Sequence, residues 1–264
     1  MKVKIIGILT VLAMLLNMFT VVSAASNPNS EENTVEDLLN SMSLRDKVTQ
    51  MMMVDFRKWG SSAEEASDFT EMNDEVYSIV EEYNFGAVIL FSNNVKETEQ
   101  TFRLTQALQD AATKNNGIPL IITADQEGGN VVRLGSGTAL PGNMALGATY
   151  ASNGTKYAKE AGRVIGSELS VLGINTNLAP VVDVNNNANN PVIGLRSFSD
   201  DPAIVGALAS AMVEGMVEYN VVGTAKHFPG HGDTTTDSHY RECECGDREI
   251  GVCSWQRTSV LVEA

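Results

Sequence analysis

The chain is 264 residues long, 43% hydrophobic, and carries a formal net charge of −15. That length suits one large domain or two small ones. So acidic a chain argues against a nucleic-acid partner, whose phosphates demand a basic footprint, and the charge reads as a solubility feature.

Lys2 and Lys4 precede an uncharged run over residues 5–22, which leads into Val22-Ser23-Ala24 and a polar segment over 26–33. A short basic region, an apolar core and small residues at the cut read as a secretory signal over 1–24, cleaved after Ala24. An uncleaved anchor is the competing reading, because the run approaches the ~20 residues that span a bilayer. The protein is accordingly expected to be secreted or associated with the cell envelope. Residues 25–37 read as a polar linker.

Helical stretches then alternate with short apolar runs. Ser43, with Asp46 three positions on, reads as a helix start. Residues 51–56 form a first candidate strand. Val76, Ile79 and Val80 repeat at helical spacing within 71–83, and 86–91 is a continuous apolar run of strand length. An amphipathic helix over 97–113 leads to a strand over 119–123 that ends at Ala124-Asp125. A helix over 155–172 puts Ala158, Ala161, Val164 and Ile165 on one face. A strand over 175–184 carries Asp183 near its end, a helix covers 202–219, and a fifth strand over 221–225 runs into Lys226.

Strands buried on both faces read as near-continuous apolar runs, and helices between them imply a parallel α/β sheet. Asp125, Asp183, Lys226 and His227 recur where strands end, the face on which barrels of alternating strands and helices build their sites. A doubly wound open sheet is the alternative, but the first strand is followed by Asp55-Phe56-Arg57 rather than a glycine-rich phosphate loop. The α/β reading is therefore a (β/α)8 barrel. Strands spaced on average about 42 residues apart account for only five of the eight such a barrel needs.

All three histidines, His227, His231 and His239, fall in one short stretch with Asp233 and Asp237 among them. Spacing alone leaves three readings open: a structural loop, a zinc site, and a catalytic loop. Gly230 and Gly232 would let the loop fold back over the strand ends. In Asp237-Ser238-His239 the aspartate can orient an imidazole that protonates a leaving oxygen and later deprotonates a water. Asp125-Gln126-Glu127-Gly128-Gly129 with Arg133, and residues 192–198 with Arg196, form two further polar groups. Taken singly, Asp125 could cap a turn and Arg196 could pair with Asp200 or Asp201. Their convergence at strand ends suits a hydroxyl-rich ligand, which carboxylates and guanidinium groups bind bidentately.

These groups, together with Ala179-Pro180-Val181-Val182-Asp183-Val184 and residues 226–239, resemble the β-N-acetylglucosaminidase branch of glycoside hydrolase family 3. The likeness runs over 38–239, which would be a partial N-terminal barrel domain of that family. It implies retaining hydrolysis of terminal β-linked N-acetylglucosamine, with cell-wall muropeptides as the source and no metal or other cofactor. Carried over to matching positions, His239 would be the general acid/base and Asp237 its partner. Asp125, Arg133, Arg196, Lys226 and His227 would bind the sugar. The partner is thus a carbohydrate, and the sequence carries no signal for an oligomeric state.

The likeness stops at Tyr240, and the family's nucleophilic aspartate, which follows a later strand, has no counterpart here. Cys243, Cys245 and Cys253 all lie in the segment 240–264, and the odd count leaves a thiol unpaired unless chains are cross-linked. The segment reads as an atypical tail, with a frameshift as the expected origin, and a chain lacking one of the two groups that retention needs is expected to be impaired in turnover. An N-acetylglucosaminide phosphorylase and a non-catalytic sugar-binding remnant are the alternatives.

Overall fold

The computed structural model describes residues 28–115 and 117–237. The expected leader over 1–24, the residues Ser238 and His239, and the 240–264 tail lie outside the described residues. The chain divides between Lys47 and Val48 into two compact units. In the first, helix α1 (Pro28–Ser41) runs through most of the stretch that reads as a polar linker. Helix α2 (Leu44–Gln50) begins at the expected cap: Asp46 N donates to Ser43 Oγ at 3.2 Å and Ser43 N donates to Asp46 Oδ2 at 3.0 Å. Each side chain thereby satisfies an amide that the first helical turn leaves without a partner.

The second unit begins with β1 (Met53–Val54) and a small hairpin of β2 (Lys58–Trp59) and β3 (Ser67–Asp68). Then follow α3 (Asp74–Tyr83), β4 (Ala87–Leu90), α4 (Thr98–Thr113) and β5 (Ile121–Ala124). Two short helices, α5 (Asn143–Ala148) and α6 (Tyr150–Asn153), precede α7 (Lys156–Val171) and β6 (Thr176–Asn177). A 3-10 turn (Gly194–Arg196), α8 (Pro202–Val217) and β7 (Val222–Gly223) complete the described elements.

The main sheet has the order β1-β4-β5-β6-β7, and every neighbouring pair is parallel. The order never reverses. A doubly wound sheet reverses at its switch point, whereas a barrel adds each strand on the same side. The described residues therefore form five parallel strands of a (β/α)8-type barrel.

Parallel partners share a face, so the register sorts the side chains. Val88, Ile122, Leu90, Ala124 and Asn177 point to one face, and each is at most 2% exposed beneath the helices. On the opposite face Met53, Ile121 and Val222 remain 46%, 49% and 59% exposed. That is the face a closed barrel turns inward. The strands are thus not uniformly buried on both faces, as their apolar runs suggest: the opposite face buries Ala87 and Thr123 but leaves these three side chains open.

The 175–184 segment also differs from a continuous strand. Regular pairing ends at Asn177, and Pro180, which has no N–H to donate, interrupts the ladder. The chain rejoins at a bridge between Val181 and Lys226, where Val182 N donates to Lys226 O at 2.6 Å and Lys226 N to Pro180 O at 3.1 Å. This rejoining carries Asp183 to the level of Lys226 and His227.

Helices α7 and α8 pack through glycine. A Cβ on Gly162 would lie 2.1 Å from Met212 O, and one on Gly215 would lie 2.3 Å from Lys159 O. The contact is backbone to backbone, so no side-chain rotation can relieve it. Gly162→Ala gains about 1 kcal/mol of helix propensity. Overpacking costs roughly 1–3 kcal/mol and more where backbone must move. The clash wins, and the variant is expected to unfold at lower urea than the parent by about 1–2 kcal/mol; equal or greater stability would show that the helices part freely.

Candidate active site

The site forms at the carboxyl ends of the strands. The turn after β5 bears Asp125, Gln126 and Glu127, and buried Asn177 at the end of β6 staples it. Gln126 N donates to Asn177 Oδ1 and Asn177 Nδ2 donates to Gln126 O, both at 2.9 Å. Gln126 Oε1 then accepts from Arg133 N at 2.8 Å and Leu134 N at 3.2 Å, which folds the following loop back and delivers Arg133. Lys226 and His227 arrive just beyond β7, and Arg196 arrives on the 3-10 turn.

The five residues expected to hold a sugar, Asp125, Arg133, Arg196, Lys226 and His227, belong to one connected network. Lys226 Nζ lies 2.7 Å from Asp125 Oδ1 and 2.6 Å from Glu127 Oε1. Arg196 grips Glu127 with two prongs, Nε to Oε2 at 2.9 Å and Nη2 to Oε1 at 2.8 Å. Arg133 Nη2 reaches Asp125 Oδ2 at 3.3 Å. Phe91, at the end of β4, lies 5.8 Å from the Arg133 guanidinium and 3.4 Å from that of Arg57. Arg196 does not pair with Asp200 or Asp201; Asp201 instead caps α8, accepting from Ala203 N at 2.8 Å. Asp125 pairs with cations and does not cap a turn.

Asp183 organises the histidines. Its side chain is fully buried, and Oδ2 lies 2.6 Å from His227 Nδ1. Oδ1 accepts from His231 N at 2.6 Å. Arg196 Nη2 faces His227 Nε2 at 3.4 Å. A guanidinium can only donate, so Nε2 is the acceptor and the Nδ1 proton points to Asp183. His231 gives Asp183 its backbone amide, and its ring Nδ1 turns to Thr234 Oγ1 at 2.5 Å. Among the described residues no group of three or more His, Cys, Asp or Glu side chains is placed to hold a metal ion. Asp237 is half-buried, and His239 lies outside the described residues.

Two carboxylates, Asp125 and Glu127, thus face three fixed cations, Arg133, Arg196 and Lys226. The Glu127 side chain is only 2% exposed, while Arg133 and His227 are 22% and 34% exposed and form the open side. Burial pushes the Asp125 and Glu127 carboxyls up, but Lys226 with Arg133, and Arg196 with Lys226, outweigh it and hold both below the usual range. Burial likewise lowers Arg196, and Glu127 more than reverses it. The floor is therefore fixed in charge as well as in place: acceptors and donors alternate, and hydroxyls can bridge them. Beside it, a cavity of about 330 Å³ shares the Glu127–Arg196 pair as one wall, with Gly129, Asn143, Met144 and Leu195 around it. Residue types and spacing do not single out Glu127, Asn177 or the holding role of Asp183; only the 125–129 cluster hints at the first.

A family model described as the glycosyl hydrolase family 3 N terminal domain matches residues 43–250. β-Hexosaminidase A of Pseudoalteromonas piscicida is 46% identical over 198 residues, which are 72% of this chain and 33% of that protein. A solved glycoside hydrolase family 3 β-N-acetylglucosaminidase from a Paenibacillus species superposes with a TM-score of 0.68 at 42% identity, over 75% of this chain and 35% of that one. NagZ from Neisseria gonorrhoeae, solved with N-trifluoroacetyl-D-glucosamine, gives a TM-score of 0.62 at 32% identity, over 73% and 53%. The chain therefore spans between a third and about half of the length of these relatives.

Glu127 and Asp125 have folded-state pKa values below their unfolded ones. Their contribution to stability is present above about pH 4 and is lost as pH falls through the folded values. The melting temperature is expected to drop on acidification below about pH 4. Glu127→Gln leaves Arg196 and part of Lys226 uncompensated, so it should cost about 3 kcal/mol at pH 7 and flatten the acid dependence. Melting curves from pH 3 to 8 test both, and a variant with the parent's stability and slope would contradict them.

Proposed function

The chain belongs to glycosyl hydrolase family 3, and from this we propose that it carries the sugar-binding floor and the acid/base loop of a glycosidase that removes terminal non-reducing β-linked N-acetylglucosamine. The observation that carries this reading is the Asp125–Lys226–Glu127–Arg196 lattice, open towards Arg133 and His227. Relatives named β-hexosaminidase and β-N-acetylglucosaminidase, and a relative solved with an N-acylated glucosamine, support the choice of sugar.

In this reading Asp125 accepts from sugar hydroxyls, while Arg133, Lys226 and Arg196 donate to them. His227 is kept oriented by Asp183 and lines the open side. His239, supported by Asp237, gives its proton to the leaving glycosidic oxygen and later takes one from water. Retention of configuration needs a carboxylate on the far side of the anomeric carbon. Asp125, Glu127 and Asp183 are each held by cations or N–H groups, so none of them is assigned that part. The leader over 1–24 would deliver the protein outside the cytoplasm, where muropeptide fragments of the cell wall supply such linkages.

Calorimetry with N-acetylglucosamine tests the binding half. Asp125→Ala should weaken it roughly 10- to 100-fold, the worth of a hydrogen bond to a charged group, whereas Asp110→Ala on the exposed face of α4 should not. Turnover of an aryl N-acetyl-β-glucosaminide tests the chemistry, and His239→Ala should abolish it. A chain that ignores N-acetylglucosamine, or one that turns over unchanged by His239→Ala, would sink the assignment.

A further inference from the structure

Residues 184–193 contain Asn185, Asn186, Asn187, Asn189 and Asn190, a run that the sugar-binding floor does not use. Asn190 is 8% exposed and both ends of its amide are engaged. Oδ1 accepts from Val192 N at 2.8 Å and Ile193 N at 2.7 Å. Those bonds close the turn that enters Gly194–Arg196 and so deliver Arg196. Nδ2 reaches the other way, donating to His231 O at 2.7 Å, with Gly232 O and Thr234 Oγ1 both at 3.3 Å. Asn187 adds a second tie, Nδ2 to Thr234 O at 3.0 Å.

The loop is also seated from below. A Cβ on Gly232 would lie 1.7 Å from Val184 O, so this glycine serves close approach. Gly230, at φ 141°, is the one that uses glycine's conformational freedom. At position 190 a neutral amide fits as few side chains would. It needs two acceptor sites towards one loop and donors towards the other. A carboxylate would set its charge against the His231 and Gly232 carbonyl oxygens, and an aliphatic group would strand the two turn amides.

We propose that Asn190 is a positioning residue that locks the turn carrying Arg196 to the loop 231–234, which leads into Asp237 and His239. The sugar-holding cation and the acid/base loop are thereby fixed in mutual register. The proposal rests on the acid/base reading of that loop. Arg196 has further holds, on Glu127 and from Asn143 Nδ2 to its carbonyl at 2.8 Å. Losing the Asn190 tie therefore falls mainly on the loop, and so on kcat more than on sugar affinity.

Asn190→Asp and Asn190→Ala in the full chain, with exposed Asn189→Ala as control, test this by hydrogen exchange, calorimetry with N-acetylglucosamine, and turnover of an aryl N-acetyl-β-glucosaminide. Amides of 231–237 should exchange roughly 10-fold faster in both variants while β4 and β5 keep their protection. Affinity for N-acetylglucosamine should stay within about 3-fold and kcat fall roughly 30-fold with KM little changed. Asn187→Ala, which cuts the Thr234 tie and a local bond from Asn189 N but leaves Asn190 in place, should give a smaller loop effect. Unchanged exchange in 231–237, or exchange that rises equally across the sheet, would overturn the proposal. So would a fall in affinity as large as the fall in kcat. If the parent chain turns over too slowly to measure, the exchange pattern and the affinity decide the role of Asn190, and failure to bind N-acetylglucosamine belongs to the proposed function.

Discussion

A carboxylate almost wholly removed from water, Glu127, holds two cations at once. Burying such a charge costs several kcal/mol, and only well-made pairing offsets it. The two-pronged grip of Arg196 and the short contact to Lys226 supply that pairing. Because Lys226 is shared with Asp125, and Asp125 with Arg133, no member can shift without leaving another charge under-compensated. The floor is stiff for this electrostatic reason, although most of its residues sit on loops.

That lattice depends on the singly wound sheet. Its members come from the ends of two strands, β5 and β7, and from two long connections, and they meet only because the strands run parallel and add in one direction. The break at Pro180 matters as much. It lets the chain leave β6 and rejoin beside Lys226, which sets Asp183 under His227. A strand continuous over 175–184 would alternate its side chains without this adjustment.

The helices and the central strands are legible in the sequence because packing leaves a period. Residues 86–91 and 119–124 are apolar since the helix-covered face is dry, and 156–171 buries small residues at helical spacing. The hairpin of β2 and β3 is not legible, because two-residue strands carry no period. In the site, the charged residues at strand ends are visible as types. Their pairing is not: Arg196 has nearby Asp200 and Asp201 in sequence, yet it takes Glu127, distant in sequence and buried. Asn190 is hidden for a like reason. Five asparagines in one run read as a polar loop, and only the fold decides which amide is inside.

The two parts of the site are held by different forces. The floor is tied by ions, where losing one partner leaves a buried charge and costs several kcal/mol. The loop 231–234 is tied by amide and hydroxyl hydrogen bonds worth about 1 kcal/mol each. At the loop's base the His231 amide donates to the Asp183 carboxylate. The ties that Asn187 and Asn190 make to residues 231–234 are neutral, so breaking them costs a small fraction of what it would cost to open the floor. The floor and the loop are separable in this architecture because one rests on buried charge and the other on a few neutral bonds centred on Asn190.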